Sequence, residues 1–452
     1  MSRLVVVGGG LTGLTAAFQW HRARPDDEVV VLEADDRLAG KLDRVDLADQ
    51  AFDTGPEAVL ARVPEALELV RDLGLADELV APQTTQASIV LPEGRFPLPP
   101  GTVQGVPTSA DGLAGVLTPA GVERVRAEAG LPPLRLTGDV SVGGLLRERL
   151  GDEVVDRLVE PLLGGVYAGR PDDLSLAATM PALAGQLAGA TSVLGAAVAA
   201  RDAGARSRGD VDGPVFVTVR GGIGSLPAAL VAASGADVRL GARVTGLRRA
   251  AGGFALELAG GATLTADAVV LATPAAPTAR LLADLAPDAV EPLQDIPYAS
   301  MAVVAMAFPA QEVAAGSGLL VPPVTGRLVK GVTVSSSKWP HLSGGGVLRV
   351  RSSVGRFGDD AALGRDDADL TAAVVADVAG LLELARPEPL QTHLVRWVDG
   401  LPQYLVGHPQ RVTAVLDAVG AVPGLAVAGA AYGGVGVPAC IRDARRAVQA
   451  LL

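Results

Sequence analysis

An α/β fold is what this sequence predicts, on three observations. Leu4-Val5-Val6-Val7 is a branched apolar run of the kind a buried parallel strand requires, and Gly8, Gly10 and Gly13 follow it with G-x-G-x-x-G spacing. A helical pattern, Leu14 to Trp20, starts at once, and Glu33 closes a second apolar strand, Glu28 to Leu32, 20 residues after Gly13. Far away in sequence, Leu425 to Gly429 runs into a glycine-rich turn and a helix from about residue 436, a second unit of the same type. Together they predict a Rossmann-like dinucleotide-binding domain assembled from separated segments, with a mixed-sheet domain and an inserted helical subdomain between them.

Each part of the first turn has a physical task. One glycine permits the tight turn, one lets the backbone approach a pyrophosphate, and one lets the helix pack closely on the strand. The helix N-terminus then faces phosphate charge, and the acid takes ribose hydroxyls. Glycine makes up 56 of 452 residues, so the spacing alone says little; the strand, helix and acid around it make it specific.

Composition bounds the rest. With 49% apolar and 19% charged residues, the chain is globular and long enough for two or three domains. Lysine is confined to Lys41, Lys330 and Lys338 and asparagine is absent, a bias that GC-rich coding explains. One cysteine, Cys440, excludes an internal disulfide and is expected to be a buried structural thiol in a reducing compartment. The four scattered histidines make no metal-ligand cluster, so no metal is expected. A net charge of −12 argues against nucleic-acid binding and means that any anionic ligand needs a locally positive pocket. Leu174 to Ala200 is uncharged but rich in Ala, Gly, Ser and Thr around Pro181 and Gln186, poor material for a membrane span. A soluble, cytoplasmic or at most peripheral protein is expected.

Along the chain, Pro64 to Val80 reads as an amphipathic helix and residues 87–99 as a hairpin with a proline-rich exit. From 109 to 205 the pattern is helical, with Ser109, Ser141 and Asp152 as expected caps. Ala203 to Gly213 is polar and is expected to be a mobile loop. Strand patterns resume at 215–219, 236–240, 243–248, 253–258 and 267–272. More follow at 301–308 and 347–354, with a helix near 366–384. The expected division is a nucleotide domain of 1–80, 206–275 and 396–452, a substrate domain of 81–108 and 276–395, and the helical subdomain 109–205. No second complete glycine motif with a following acid is present, so a separate nicotinamide site is not expected. One enclosed dinucleotide favours FAD over NAD, and molecular oxygen is then the simplest acceptor.

Several strings in fixed order carry a family resemblance: Val7 to Ala17, Glu33-Ala34 with Arg37 to Lys41, Phe52 to Glu57, and Gly105 to Thr108. Glu160-Pro-Leu-Leu-Gly-Gly-Val-Tyr-Ala-Gly169, Gly221 to Pro227, Trp339-Pro340-His341, Leu401 to Tyr404 and Tyr432 to Ile441 complete it. Over nearly its full length the chain resembles the FAD-dependent porphyrinogen oxidases of haem biosynthesis, on the amine-oxidase-like flavoprotein fold. Within them it looks most like the bacterial coproporphyrinogen III oxidases.

The resemblance implies that Gly8, Gly9, Gly10, Leu11, Thr12 and Gly13 hold the pyrophosphate of FAD and Glu33, beside Ala34, the ribose. It sets Lys41, Gly55, Pro56, Glu57 and Ala58 along the cofactor, Val244 at the adenine, Trp397 as a further contact, and Val435, Gly436 and Val437 beside the flavin ring. The family commonly has R-x-G-G-K, so Ala39 in place of a glycine implies a small backbone adjustment. The implied reaction is a six-electron oxidation of a porphyrinogen in three two-electron steps. Each step passes a hydride from a meso carbon to flavin N5, and oxygen then turns the flavin over to peroxide. Catalysis would be mainly positioning, with no obligatory side-chain base. A substrate with four propionates calls for cations, and Arg62, Arg95, Lys330, Lys338 and Arg396 are candidates by position; Val63 and Pro64 stand where relatives carry a lysine. Protoporphyrinogen IX oxidation, an amine-oxidase or desaturase activity on the same scaffold, and a non-catalytic FAD-binding accessory role stay open. So do peripheral membrane association and transient contact with a ferrochelatase.

Overall fold

The computed structural model describes residues 2–208 and 213–452. Its organising element is a five-stranded parallel sheet in the order 237–239, 28–32, 3–7, 268–271, 425–427. Four of these strands are apolar on both faces, as a sheet covered on both sides must be: Val5, Val6, Val30, Val31, Val269, Val270 and Leu271 are fully buried. One face packs against the helices Leu11–Ala23, Leu226–Ser234 and Val437–Leu451. The other is covered by a three-stranded antiparallel sheet, 244–250, 253–258 and 263–266, and by the helices Ala275–Leu282 and His408–Gly420.

A second, seven-stranded sheet runs in the order 391–402, 298–309, 347–354, 331–333, 318–320, 87–91, 94–97. All its pairings are antiparallel except 318–320 with 87–91. The helix Asp367–Leu382 backs it, opened by the Asp366 carboxylate accepting from the Asp369 N–H at 2.9 Å. Between these layers the helices from Pro119 to Arg208 enclose a third core around Leu146, Val155, Val159 and Tyr404.

Several expectations are corrected. The helix from Pro64 stops at Asp72, because Gly74 takes φ +72° and ends it; Leu79–Val80 instead pairs with the strand Phe216–Val219. Ser109 caps no helix; Thr118 does, accepting from Gly121 N–H at 3.1 Å, while Ser141 caps as expected. Gly151, not Asp152, precedes the turn at 152–154. The loop expected from 203 is overturned as far as 208, since the alanine-rich run carries the helix Val193–Arg208 on; residues 209–212 lie outside the described residues. The boundary expected at 396 falls inside the continuous strand Gln391–Pro402, and that at 276 inside the helix Ala275–Leu282. The uncharged stretch 174–200 breaks into short helices at Met180 and Ala190, and among the described residues no helix is long and apolar enough to cross a membrane.

Candidate cofactor and substrate site

The first glycine turn sits at the carboxyl edge of the parallel sheet, and its geometry forbids side chains. A Cβ on Gly13 would lie 1.9 Å from the Gly8 carbonyl oxygen, and one on Gly9 2.4 Å from Leu38 Cδ2. Gly8 has φ +111°, and a Cβ there would meet the Ala272 oxygen at 2.6 Å. In front of Gly10 there is open space for 4 Å. Gly10 is the N-cap of the helix Leu11–Ala23, with no side-chain cap and no acid in the first turn, so the helix N-terminus is free to face an anion. Leu11 and Thr12 are buried beneath it. Glu33 stands beside the turn, its carboxylate accepting from the Gly9 N–H at 2.7 Å and the Asp35 N–H at 2.9 Å. The Ala242 N–H donates to the Glu33 carbonyl at 2.7 Å, which brings Val244 and the half-buried Ala34 to the same end of the sheet.

The 39–43 and 53–58 turns form the next stretch of wall. Ala39 holds φ +84° and donates its N–H to the Gly9 carbonyl at 2.9 Å. The alanine accepts a left-handed conformation that costs about 1–2 kcal/mol outside glycine. Gly55 packs so closely that a Cβ would lie 1.9 Å from the Lys41 carbonyl. Lys41 is open to solvent yet hemmed in by protein, as on a cleft wall, and desolvation pulls its pKa below the usual lysine value against the opposing influence of Cys440. Burial pushes the Cys440 thiol itself up to about 11, against the Thr12 hydroxyl, so it is the buried structural thiol expected.

Pro56 and Ala58 line the turn, but the Glu57 side chain faces away from it. Its carboxylate meets Lys338 Nζ at 2.7 Å, Arg351 Nε at 3.6 Å and Ser335 Oγ at 3.2 Å. Burial alone would raise its pKa, but Arg351 and Lys338 win and hold it at about 2. Arg351 also donates to the Gly55 carbonyl. Asp53 anchors the turn from below, accepting from the Ile223 N–H at 2.8 Å and the Gly224 N–H at 2.9 Å. Burial nevertheless raises its pKa to about 6. Opposite, Trp397 lies 5.9 Å from the Arg37 guanidinium, over the 33–41 segment. At the far edge Val435 is half-buried, and Gly436 caps the helix Val437–Leu451, again without a side-chain cap or a first-turn acid.

The substrate cations behave differently. Lys338 is committed to Glu57. Arg95 donates to the carbonyls of Ala314 and Leu381 at 2.8 and 2.6 Å, which ties the hairpin to the last turn of the helix Asp367–Leu382. Arg396 is likewise held by Asp367 and by the Leu363 and Arg365 carbonyls. Neither Arg95 nor Lys338 therefore presents a free cation for a propionate. Lys330 is buried beside the Glu160–Arg356 pair, and burial lowers its pKa to about 7. Arg62 is exposed at the end of the Val59–Leu60 strand. Arg351 escaped sequence reasoning, although Arg349 and Arg351, two residues apart in an apolar strand, share a face and so signal buried charge.

The residues present fit a dinucleotide: two uncapped helix N-termini rise from one parallel sheet, and the glycine cradle would be filled by any Cβ. Fold and site thus define a Rossmann-type flavoprotein. The chain belongs to the family of flavin containing amine oxidoreductases, whose model matches residues 11–452. It is 40% identical over 452 residues to the coproporphyrinogen III oxidase of Mycobacterium tuberculosis (strain ATCC 25618 / H37Rv), covering 99% of this chain and 96% of the relative. It is 32% identical to that of Bacillus subtilis (strain 168), covering 99% and 97%. A crystal structure from Exiguobacterium sp. 255-15, assigned as a protoporphyrinogen oxidase, superposes with a TM-score of 0.86 at 33% identity over 100% of this chain and 98% of that one. A putrescine oxidase structure, TM-score 0.72 at 18% identity over 100% and 98%, shares the fold. The chain is a flavin-dependent oxidoreductase with FAD as its cofactor.

Proposed function

We propose that this chain oxidises coproporphyrinogen III to coproporphyrin III in haem biosynthesis, with oxygen as acceptor and peroxide as by-product. The observation that carries the reading is 40% identity over essentially the whole chain to a coproporphyrinogen III oxidase. FAD, when bound, would supply the hydride acceptor for each of the three two-electron oxidations, with oxygen as the final electron acceptor.

The chain's own residues do the rest. Gly8 to Gly13 would hold the pyrophosphate at the N-terminus of the first helix, and Glu33 with Ala34 the ribose. Val244 would meet the adenine, and Lys41, Gly55, Pro56, Ala58 and Trp397 the middle of the cofactor. Glu57 would act through Lys338 and Arg351, which keep that turn in place, and not through its own carboxylate. Val435, Gly436 and Val437 would lie at the flavin ring, where the uncapped helix N-terminus favours negative charge. Of the substrate candidates, Arg62 has the exposure to reach a propionate. The helical subdomain at 109–205 and the seven-stranded sheet would enclose the tetrapyrrole, the last nucleotide-domain segment beginning after residue 402. The reading includes a cytoplasmic enzyme that touches membranes only peripherally and passes its porphyrin to a ferrochelatase.

Tyr432 bears on the amine-oxidase alternative. It is the one aromatic of the C-terminal turn and is buried, so that turn offers no aromatic pair to cage a substrate amine. Incubation of the purified protein with coproporphyrinogen III, protoporphyrinogen IX and simple amines tests the proposal. Coproporphyrin fluorescence with peroxide release is the expected result. Amine-dependent peroxide, or bound flavin without turnover, would overturn it.

A further inference from the structure

Two of the most distinctive strings, Glu160–Gly169 and Tyr432–Ile441, lie far apart in sequence, and a third, Leu401–Tyr404, joins them. The Gln403 side-chain amide donates to the Tyr167 carbonyl at 2.7 Å, and a Cβ on Gly169 would lie 2.4 Å from Gln403 Oε1, so that contact requires glycine. The Tyr404 ring stacks on His408 with centroids 3.9 Å apart and meets the Tyr167 ring at 5.6 Å. Its hydroxyl donates to the Ala430 carbonyl and accepts from the Gly434 N–H at 2.9 Å. It thus bridges both limbs of the glycine-rich turn that leads into Gly436. A phenol has one donor and acceptor lone pairs, and both functions are used.

We propose that Tyr404 is a positioning residue for this cofactor-facing turn, its hydroxyl setting where Val435 to Val437 stand against the flavin. The inference rests on the FAD reading of that turn. Three observations support it. The turn has few other tethers: Gly429 donates to Asp443, Tyr432 to the Gly429 carbonyl, and the Cys440 thiol only weakly, at 3.9 and 4.0 Å, to the Gly434 and Val435 carbonyls, while Gly434 sits at φ +133°. A glycine-rich backbone of this kind does not hold one conformation unaided. Tyr404 is itself immobilised, its carbonyl accepting from the Ser175 N–H at 2.7 Å while Gln403 N–H donates to the Pro297 carbonyl at 2.8 Å. Burial also raises the phenol pKa well above its ordinary value, so the hydroxyl keeps the proton it donates. The helix Glu160–Tyr167 and the flavin-facing turn are therefore fixed to one another through two adjacent side chains.

The test is Tyr404→Phe in the FAD-loaded enzyme, which keeps the ring stack and removes both hydrogen bonds. Expected are an FAD-to-protein ratio equal to wild type, an altered visible circular dichroism of the bound flavin, and kcat per bound flavin lowered about tenfold with KM within twofold. Unchanged flavin dichroism and kcat would overturn the assignment. So would loss of activity only in proportion to lost FAD, which marks a merely structural residue. Hydrogen exchange on the wild-type holoenzyme decides the matter independently of the variant's folding. A slowly exchanging Gly434 amide supports the clamp, and exchange at the rate of an open loop contradicts it. A wild-type protein that takes up no FAD would instead defeat the reading of the site on which the inference rests.

Discussion

Replacing Glu57 by glutamine removes a buried charge while keeping shape and hydrogen-bonding capacity, and the structure fixes what that should cost. Lys338 and Arg351 hold the carboxyl at about 2 against an ordinary 4.5, a difference worth roughly 3 kcal/mol at pH 7. The variant also leaves two cations in a poorly solvated place, consistent with the roughly 3–5 kcal/mol typical of breaking a buried pair. The sign with pH follows from the direction of the shift. A depressed carboxyl pKa stabilises the fold above the unfolded value and loses that contribution as pH falls from about 4.5 through 2. The gap between wild type and Glu57→Gln should therefore be full at pH 7 and smaller by about 1 kcal/mol at pH 4. Guanidinium unfolding followed by far-ultraviolet circular dichroism at both pH values measures it. A gap below about 1 kcal/mol at pH 7, or one that does not shrink on acidification, would refute the ion-pair account of this turn.

The other expected outcomes are as follows. Gly13→Ala puts a Cβ 1.9 Å from the Gly8 oxygen, and the purified variant should retain less than about a tenth of the wild-type FAD, read from flavin absorbance per protein. Ala39→Gly relieves the left-handed alanine and should raise the unfolding free energy by about 0.5–1 kcal/mol, seen as a higher denaturant midpoint; a lower one contradicts the strain argument. Asp53, with its pKa raised to about 6, stabilises the fold fully below about 4 and loses that contribution as pH rises through 6. Asp53→Asn should accordingly flatten the pH dependence of stability between those values. Arg62→Glu should raise KM for coproporphyrinogen III several-fold with FAD content unchanged, whereas Arg95→Gln should lower stability and leave KM alone.

What the sequence made legible was whatever is local or periodic. The apolar run Leu4 to Val7, the glycine spacing and Glu33 predict the first βαβ unit, and the apolar run at 425–427 predicts that the C-terminus returns to the same sheet. Hidden from view are partnerships decided by long-range packing. Nothing in the spacing of Glu57 and Lys338, 281 residues apart, says that they pair, and so sequence reasoning assigns a cofactor contact and a substrate cation to two groups that neutralise each other. Arg95 reads as a free cation until the helix carbonyl at Leu381 is set beside it. The domain boundary set at 396 on sequence alone cuts a single strand, in which Arg396, Trp397 and Asp399 interrupt the apolar alternation. In the fold Trp397 faces the 33–41 segment, and Asp399 sits at φ +46° near an irregularity in the ladder.

Porphyrinogen oxidation through bound flavin is tested most directly by anaerobic mixing of the FAD-loaded protein with coproporphyrinogen III while the oxidised-flavin absorbance is followed. Rapid bleaching of that band is expected, with recovery when oxygen is admitted, and in air three peroxides for every coproporphyrin formed, one per two-electron step. A band that coproporphyrinogen III leaves untouched, while a simple amine bleaches it, would contradict the proposed chemistry.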